Sequence, residues 1–263
     1  MKLGRVQSKH DSRTLHLADY VTIASLPTPP PMEMLETTTT WPMLANNQFN
    51  CCTSAAAGHM VHHWTAANQQ GVFLTDADII RAHAHLTRNR LMDCVSMLSA
   101  LKYWRKTGIG KHRVHSFVKA QEQKADELRG IIHLFGSAYV GLDLPKFALA
   151  GVPTGWPAIP WSIPATVSPD DAAPQLDNGH CVTAVGYGDD GVYVVTWGAL
   201  KTMSWDFFNR YNVELYAVLS TDWVCGNKVS PSGFDITSLG RDLSLVQASP
   251  SPATNCLNGS QTS

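Results

Sequence analysis

Asn178-Gly-His-Cys-Val-Thr-Ala-Val-Gly-Tyr187 is the stretch whose reading decides the fold. The apolar and β-branched run from Cys181 to Tyr187 predicts a buried strand. Gly188-Asp-Asp-Gly191 follows as a hairpin turn, and Val192-Tyr-Val-Val-Thr-Trp197 as the returning strand. A tight antiparallel pairing lets Thr196, at the end of the second strand, lie beside His180, at the start of the first. Gly179, just before His180, leaves out a side chain where another segment can come close.

Outward from this hairpin, Leu215-Tyr-Ala-Val-Leu219 predicts a third strand, with a short helix over Trp205 to Tyr211 between them. Upstream, Ala138 to Asp143 reads as a strand that follows a helix over Asp126 to Phe135, stopped by Gly136. Earlier still the pattern is helical. Helices are expected over Thr53 to Gln70, from Thr75-Asp-Ala-Asp78 onward, and over Val95 to Lys106, the last ended by Gly108 and Gly110. His112 to Phe117 reads as a short strand. The order is helices, then antiparallel strands, which is an α+β layout. Residues 145–176 are proline-rich and read as a long structured loop, given a functional role by Trp156 and Trp161.

Residues 1–40 read as an extended lead-in arm, with apolar anchors near Leu15 and the stretch Leu26-Pro-Thr-Pro-Pro-Pro31 before Thr37–Thr40. Residues 41–225 form the expected domain, with a helical part 41–135 and a sheet part 136–225. Residues 226–263 are a C-terminal extension, disordered from about 249.

The chain has 263 residues, enough for a large core without disulfide or metal staples. Charged residues are 16%, and the net charge is −1. That balance argues against a whole-chain nucleic-acid binder and against global disorder. No apolar run approaches the ~20 residues a membrane span needs. The first residues lack the apolar core of a secretory signal, so a cytoplasmic protein without a signal peptide is expected. Six cysteines with no CxxC spacing read as reduced thiols.

One of those thiols is placed for chemistry. Asn46-Asn-Gln-Phe-Asn-Cys-Cys-Thr-Ser-Ala-Ala-Ala57 sets a thiol, Cys51 or Cys52, at the first turn of a helix, where the dipole and unpaired N–H groups favour a thiolate. His59, His62 and His63 lie on the same helix. No further ligand accompanies them, so they read as packed or surface side chains and no metal or cofactor is expected. Asp189-Asp190 reads as a turn, and the Lys102 to Arg113 basic cluster as a solvated face.

These pieces resemble the papain-like cysteine peptidases. Carrying the resemblance are Cys52 opening a helix, Gly179-His180 opening a later strand, Trp197-Gly198 closing the next, and Phe135-Gly-Ser-Ala-Tyr-Val-Gly-Leu-Asp143 upstream. His180 lies 128 residues after Cys52, close to the ~130–150 of the papain type. The resemblance implies a helical lobe with a central helix, followed by an antiparallel sheet lobe. It implies Cys52 as nucleophile, His180 as its base, and Asn46, six residues before Cys52, as oxyanion donor. Six before Cys51 is Ala45, which cannot donate, so the resemblance favours Cys52 and keeps Cys51 as the alternative nucleophile. Thr196 stands where the family carries an asparagine that orients the histidine. Trp197, Gly179 and Trp161 would line the substrate cleft. The Cys-Thr-Ser-Ala-Ala-Ala stretch, with Leu3-Gly-Arg5 and Asp11-Ser-Arg-Thr-Leu15, is similar to phage and prophage papain-like proteins, which would place the chain in a host cytoplasm or virion. Three readings stand open: a peptidase or amidase acting on peptide or protein; a weak or inactive virion or interaction protein that meets a protein partner through its N-terminal arm; and a transglutaminase-like acyltransferase.

Overall fold

The computed structural model describes residues 1–17, 28–34, 40–150 and 160–223. Residues 18–27 and 35–39 of the lead-in arm, Trp156, and the C-terminal extension 226–263 with its tail lie outside the described residues.

The helical lobe begins with α1, Cys52–Ala67. It is buried from Cys52 to Thr65, so no polar stripe marks it. Its small residues and alanines let neighbours close in on every side. After it, α2 (Asp76–Thr87) opens on a capping box between Thr75 and Asp78, and α3 spans Met97–Lys106 with Ser96 as its cap. The helix expected from Val95 starts two residues late. Val95–Ser96 instead pairs in parallel with Arg5–Val6 near the N-terminus, because Ser96 is extended and its side chain caps the helix behind it. In chain order the short strands are β1 (Arg5–Val6), β2 (Glu33–Met34) and β3 (Val95–Ser96).

The main sheet follows with β4 (Val114–Lys119), β5 (Ala138–Asp143), β6 (Gly179–Gly188), β7 (Gly191–Thr196), β8 (Ala199–Met203) and β9 (Asn212–Ser220). Its order is β4-β9-β5-β6-β7-β8, every pairing antiparallel, with β2 added on β6. The strand β8 was not anticipated, because Ala-Leu-Lys-Thr-Met lacks a clear alternation. The remaining helices are α4 (Ala125–Phe135), α5 (Lys146–Leu149), α6 (Pro169–Ala172) and α7 (Trp205–Tyr211). Thus the stretch expected as a loop over 145–176 carries two short helices, one of them started by Pro169 with Ser168 as cap. α4 stops at Gly136, whose φ of 73° few side chains tolerate.

Two hydrogen bonds pin α1 to the sheet. Thr183 of β6 donates to the Ala56 carbonyl at 2.6 Å. Tyr139 of β5 donates to the Thr53 carbonyl at 2.7 Å. They fix the N-terminal turn of α1, and with it both vicinal cysteines, against the start of β6. Replacing Tyr139 with Phe leaves the Thr53 carbonyl without this donor. That substitution is expected to cost about 1–3 kcal/mol in urea unfolding; an unchanged midpoint would show that the hydroxyl does not hold the helix.

Candidate active site

Cys51 is the N-cap of α1 and Cys52 its first residue, and their thiols diverge. The Cys51 sulfur turns back and donates to the Leu44 carbonyl at 3.6 Å. The Cys52 sulfur faces the backbone N–H of Cys181, the residue after His180. Among the described residues Cys51, Cys52, Cys94 and Cys181 are free thiols. The lowered thiol pKa expected from the helix terminus is not what this arrangement favours. Burial pushes the Cys51 thiol up to about 12 and raises Cys52 further above its ordinary range. Desolvation outweighs the dipole here.

His180 is wholly buried on β6. Its Nε2 lies 2.7 Å from Thr196 Oγ1, the contact expected from the hairpin. Its Nδ1 has no hydrogen-bond partner among the described residues. Trp197 stacks on the imidazole, with ring centroids 4.3 Å apart. Trp161 stands edge-on to both rings and stacks on Phe207. It is held by backbone hydrogen bonds to Thr202 and Ser204. Trp161 therefore supports His180 from the sheet lobe and presents almost no surface to a cleft. Burial, helped by the Arg5 charge, pulls the imidazole pKa down to about 3, so the ring is neutral.

The side chain of Asn46 is buried and donates to the carbonyls of Lys2, at 3.2 Å, and Phe49, at 3.3 Å. Trp197 Nε1 donates to the same Lys2 carbonyl at 2.8 Å. The acceptor is a peptide group of the chain's own N-terminus. Residues 2–6 run between the two lobes. The Lys2 N–H donates to the Asn46 carbonyl, and the Gly4 N–H to the carbonyl of Gly179. A Cβ on Gly4 would strike the Asn50 carbonyl, and one on Gly179 would strike the Arg5 carbonyl. Both glycines are needed for this close approach. Next along, the Arg5 guanidinium is shut between Asp143 and Glu214, its contact with Glu214 Oε2 being 2.7 Å. An extended arm has no local pattern that marks this seat. The informative residue was Arg5, the cation whose partners lie 138 and 209 positions away.

Among the described residues no cluster of three His, Cys, Asp or Glu could hold a metal ion. His59, His62 and His63 are packed in the core, as one of the two readings had it. His59 Nε2 meets the Pro42 carbonyl at 2.8 Å, and Phe73 sits 3.8 Å from the His62 ring. No helix of the described residues is long and apolar enough to cross a membrane.

No family model matches the sequence, and no curated protein matches it. Solved structures do. The architecture, a helical lobe with a central helix and a large antiparallel sheet, is the papain-like cysteine protease fold. The chain is similar to xylellain, a cysteine protease from Xylella fastidiosa, with a TM-score of 0.58 at 12% identity over 82% of this chain and 95% of that one. It is similar to procathepsin B S9 from Trypanosoma congolense, with a TM-score of 0.55 at 11% identity over 83% and 86%. A cysteine protease from Carica candamarcensis, solved with E-64, gives 0.51 at 12% identity over 72% and 98%.

Burial pulls the pKa values of His59, His62 and His63 to about 4 and that of His180 to about 3. An unfolded imidazole titrates near 6.5. Between about pH 6.5 and 4 the unfolded chain therefore binds more protons than the folded one, and stability falls as the pH falls. Urea midpoints should decline through that window, and more shallowly in His62→Phe. Identical slopes in the two proteins would contradict a buried neutral ring at position 62.

Proposed function

We propose that the chain is a papain-like cysteine peptidase with Cys52 as nucleophile and His180 as general base. The observation that carries this reading is the peptide already lying in the cleft. The Lys2–Arg5 backbone is hydrogen-bonded by Asn46, Trp197 and Gly179, so the groups around the candidate dyad bind a peptide main chain. Of the two vicinal cysteines, Cys52 is the one turned toward the His180 strand.

In the proposed reaction, His180 Nδ1 takes the proton from Cys52 Sγ. The thiolate attacks a substrate carbonyl carbon, and the C=O electron pair moves onto oxygen. The Cys52 N–H and Asn46 Nδ2 stabilise that oxyanion. Collapse breaks the C–N bond, and His180 gives its proton to the leaving amine. Water, deprotonated by His180, then cleaves the thioester. Thr196 Oγ1 accepts from Nε2–H, which leaves the Nδ1 lone pair for the thiol. A protein or peptide substrate must first displace residues 2–5, since their backbone holds the same donors.

The second reading is a weak or inactive phage or virion protein with this fold. It is favoured by Thr196 standing in for an amide, and by the closed cleft. Hydrolysis of a denatured protein substrate separates the two. The full chain should cleave, and Arg5→Ala, which loosens the N-terminal seat, should cleave faster. Cys52→Ala and His180→Ala are expected to lose at least about a thousandfold, and Thr196→Val at least about tenfold. Cleavage that survives Cys52→Ala, or none in either the full chain or Arg5→Ala, would sink the peptidase reading.

A further inference from the structure

Cys52, Cys181 and Tyr139 are all buried beneath the start of α1, and the reaction proposed above uses only the first. Thr183 of β6 faces α1 and donates to the Ala56 carbonyl. Side chains two apart on a strand share a face, so Cys181 faces α1 as well. From Thr183 back to Cys181 the strand moves about 6.6 Å. From Ala56 back to Cys52, one turn, the helix moves about 6 Å. The two steps match, and Cys181 comes to lie opposite Cys52. The Cys52 sulfur accordingly faces the Cys181 backbone N–H. Tyr139, paired with Thr183 across the sheet, brings its hydroxyl to the Cys181 sulfur as well as to the Thr53 carbonyl.

The other thiols are turned elsewhere. The Cys51 sulfur points back to the Leu44 carbonyl, and Cys94 is exposed beside the Asn50 amide. Cys181 is therefore the free thiol set against Cys52. A reactive thiolate is open to hydroperoxides. The Cys52 sulfur attacks the outer peroxide oxygen, the O–O bond breaks, and Cys52 becomes a sulfenic acid. The proton held by His180 leaves with the second oxygen. A second peroxide would carry Cys52 on to sulfinic acid, which ordinary thiols do not reverse; a neighbouring thiol stops that step by condensing with the sulfenic acid first.

We propose that Cys181 is the resolving thiol of Cys52, and that the two form a reversible disulfide when a hydroperoxide oxidises Cys52. The Cys181 sulfur attacks the Cys52 sulfur. The S–S bond forms, the S–O bond breaks, and the Cys181 proton leaves with the hydroxide as water. In sum, two thiols are oxidised and one peroxide is reduced. The Tyr139 hydroxyl donates to the Cys181 sulfur as negative charge develops on it. The disulfide ties up the nucleophile and stops hydrolysis, and a dithiol reductant returns both thiols. This inference rests on reading Cys52 as the reactive thiol of a peptidase, so its test reads the linkage separately from hydrolysis.

The full chain and Arg5→Ala are treated with micromolar to millimolar hydrogen peroxide. Remaining thiols are blocked with N-ethylmaleimide, and the proteins are digested without reduction and mapped by mass spectrometry. A Cys52–Cys181 crosslink is expected, at lower peroxide in Arg5→Ala, with fragment ions placing the bond on Cys52 and not Cys51. Dithiothreitol should remove the crosslink and restore hydrolysis. Cys181→Ser should give no crosslink and at least about tenfold more Cys52 sulfinic acid at the same dose, with hydrolysis that dithiothreitol does not restore. If Cys181→Ser does not fold, Cys181→Ala carries the same comparison. A Cys51–Cys52 bond, sulfinic acid at Cys52 beside a free Cys181, or a Cys52 unoxidised in both chains overturns the proposal. The crosslink in a chain that hydrolyses nothing keeps the resolving thiol and removes the peptidase. Hydrolysis lost irreversibly, with Cys181 free, does the reverse.

Discussion

The Arg5 guanidinium, shut from water between Asp143 and Glu214, joins the first residues of the chain to two strands of the main sheet. Each ion has given up most of its hydration, and the mutual contacts offset that loss, helped by the Leu142 carbonyl on Arg5 and the Tyr216 hydroxyl on Glu214. Removing the cation alone from such a group typically costs about 3–5 kcal/mol, most of it from the charges left behind. Around this contact β1 pairs with β3, Gly4 lies beside Gly179, and the Lys2 carbonyl meets Asn46 and Trp197. The closed cleft depends on it.

Closure has an electrostatic consequence. With the N-terminal segment in place, Cys52 and His180 sit in a dry environment that disfavours charge on either, so the thiol is held protonated and the imidazole neutral. Arg5 adds to this at His180, because a fixed positive charge nearby opposes a second one. The helix terminus under Cys52 and the Thr196 contact at Nε2 are nevertheless built, so on our reading opening the cleft supplies water and not new side chains. In that respect the chain resembles an assembled site under a cover made of its own first residues.

The parts of this site that the sequence revealed are those with local signatures. The β6–β7 hairpin follows from apolar runs around Gly188-Asp-Asp-Gly191, and it brought His180 and Thr196 together. The alanine-rich start of α1 marked where the thiols sit. What escaped notice depends on pairing across long sequence separations. Two-residue strands such as Arg5–Val6 and Val95–Ser96 have no period to detect, and the apolar Val95 fits the pattern of the helix that follows it. The carboxylates that hold Arg5 look like any other acidic residues in a strand. Lys201, buried in β8 against Trp161, broke the alternation that would have shown that strand. The helix terminus favours a Cys52 thiolate, and burial, which a linear sequence does not display, outweighs it.

The central claim is that a Cys52–His180 pair becomes reactive when the N-terminal seat is vacated. Its most direct test is iodoacetamide alkylation across pH 4–9, read residue by residue by mass spectrometry. The full chain, Arg5→Ala, and Arg5→Ala with His180→Ala would be compared. We predict that Cys52 is protected in the full chain and reacts in Arg5→Ala well below the ordinary thiol pKa of ~8.5. The added His180→Ala should return it to the ordinary range. A Cys52 that reacts only near that pKa in Arg5→Ala, or with the same profile without His180, would contradict the account.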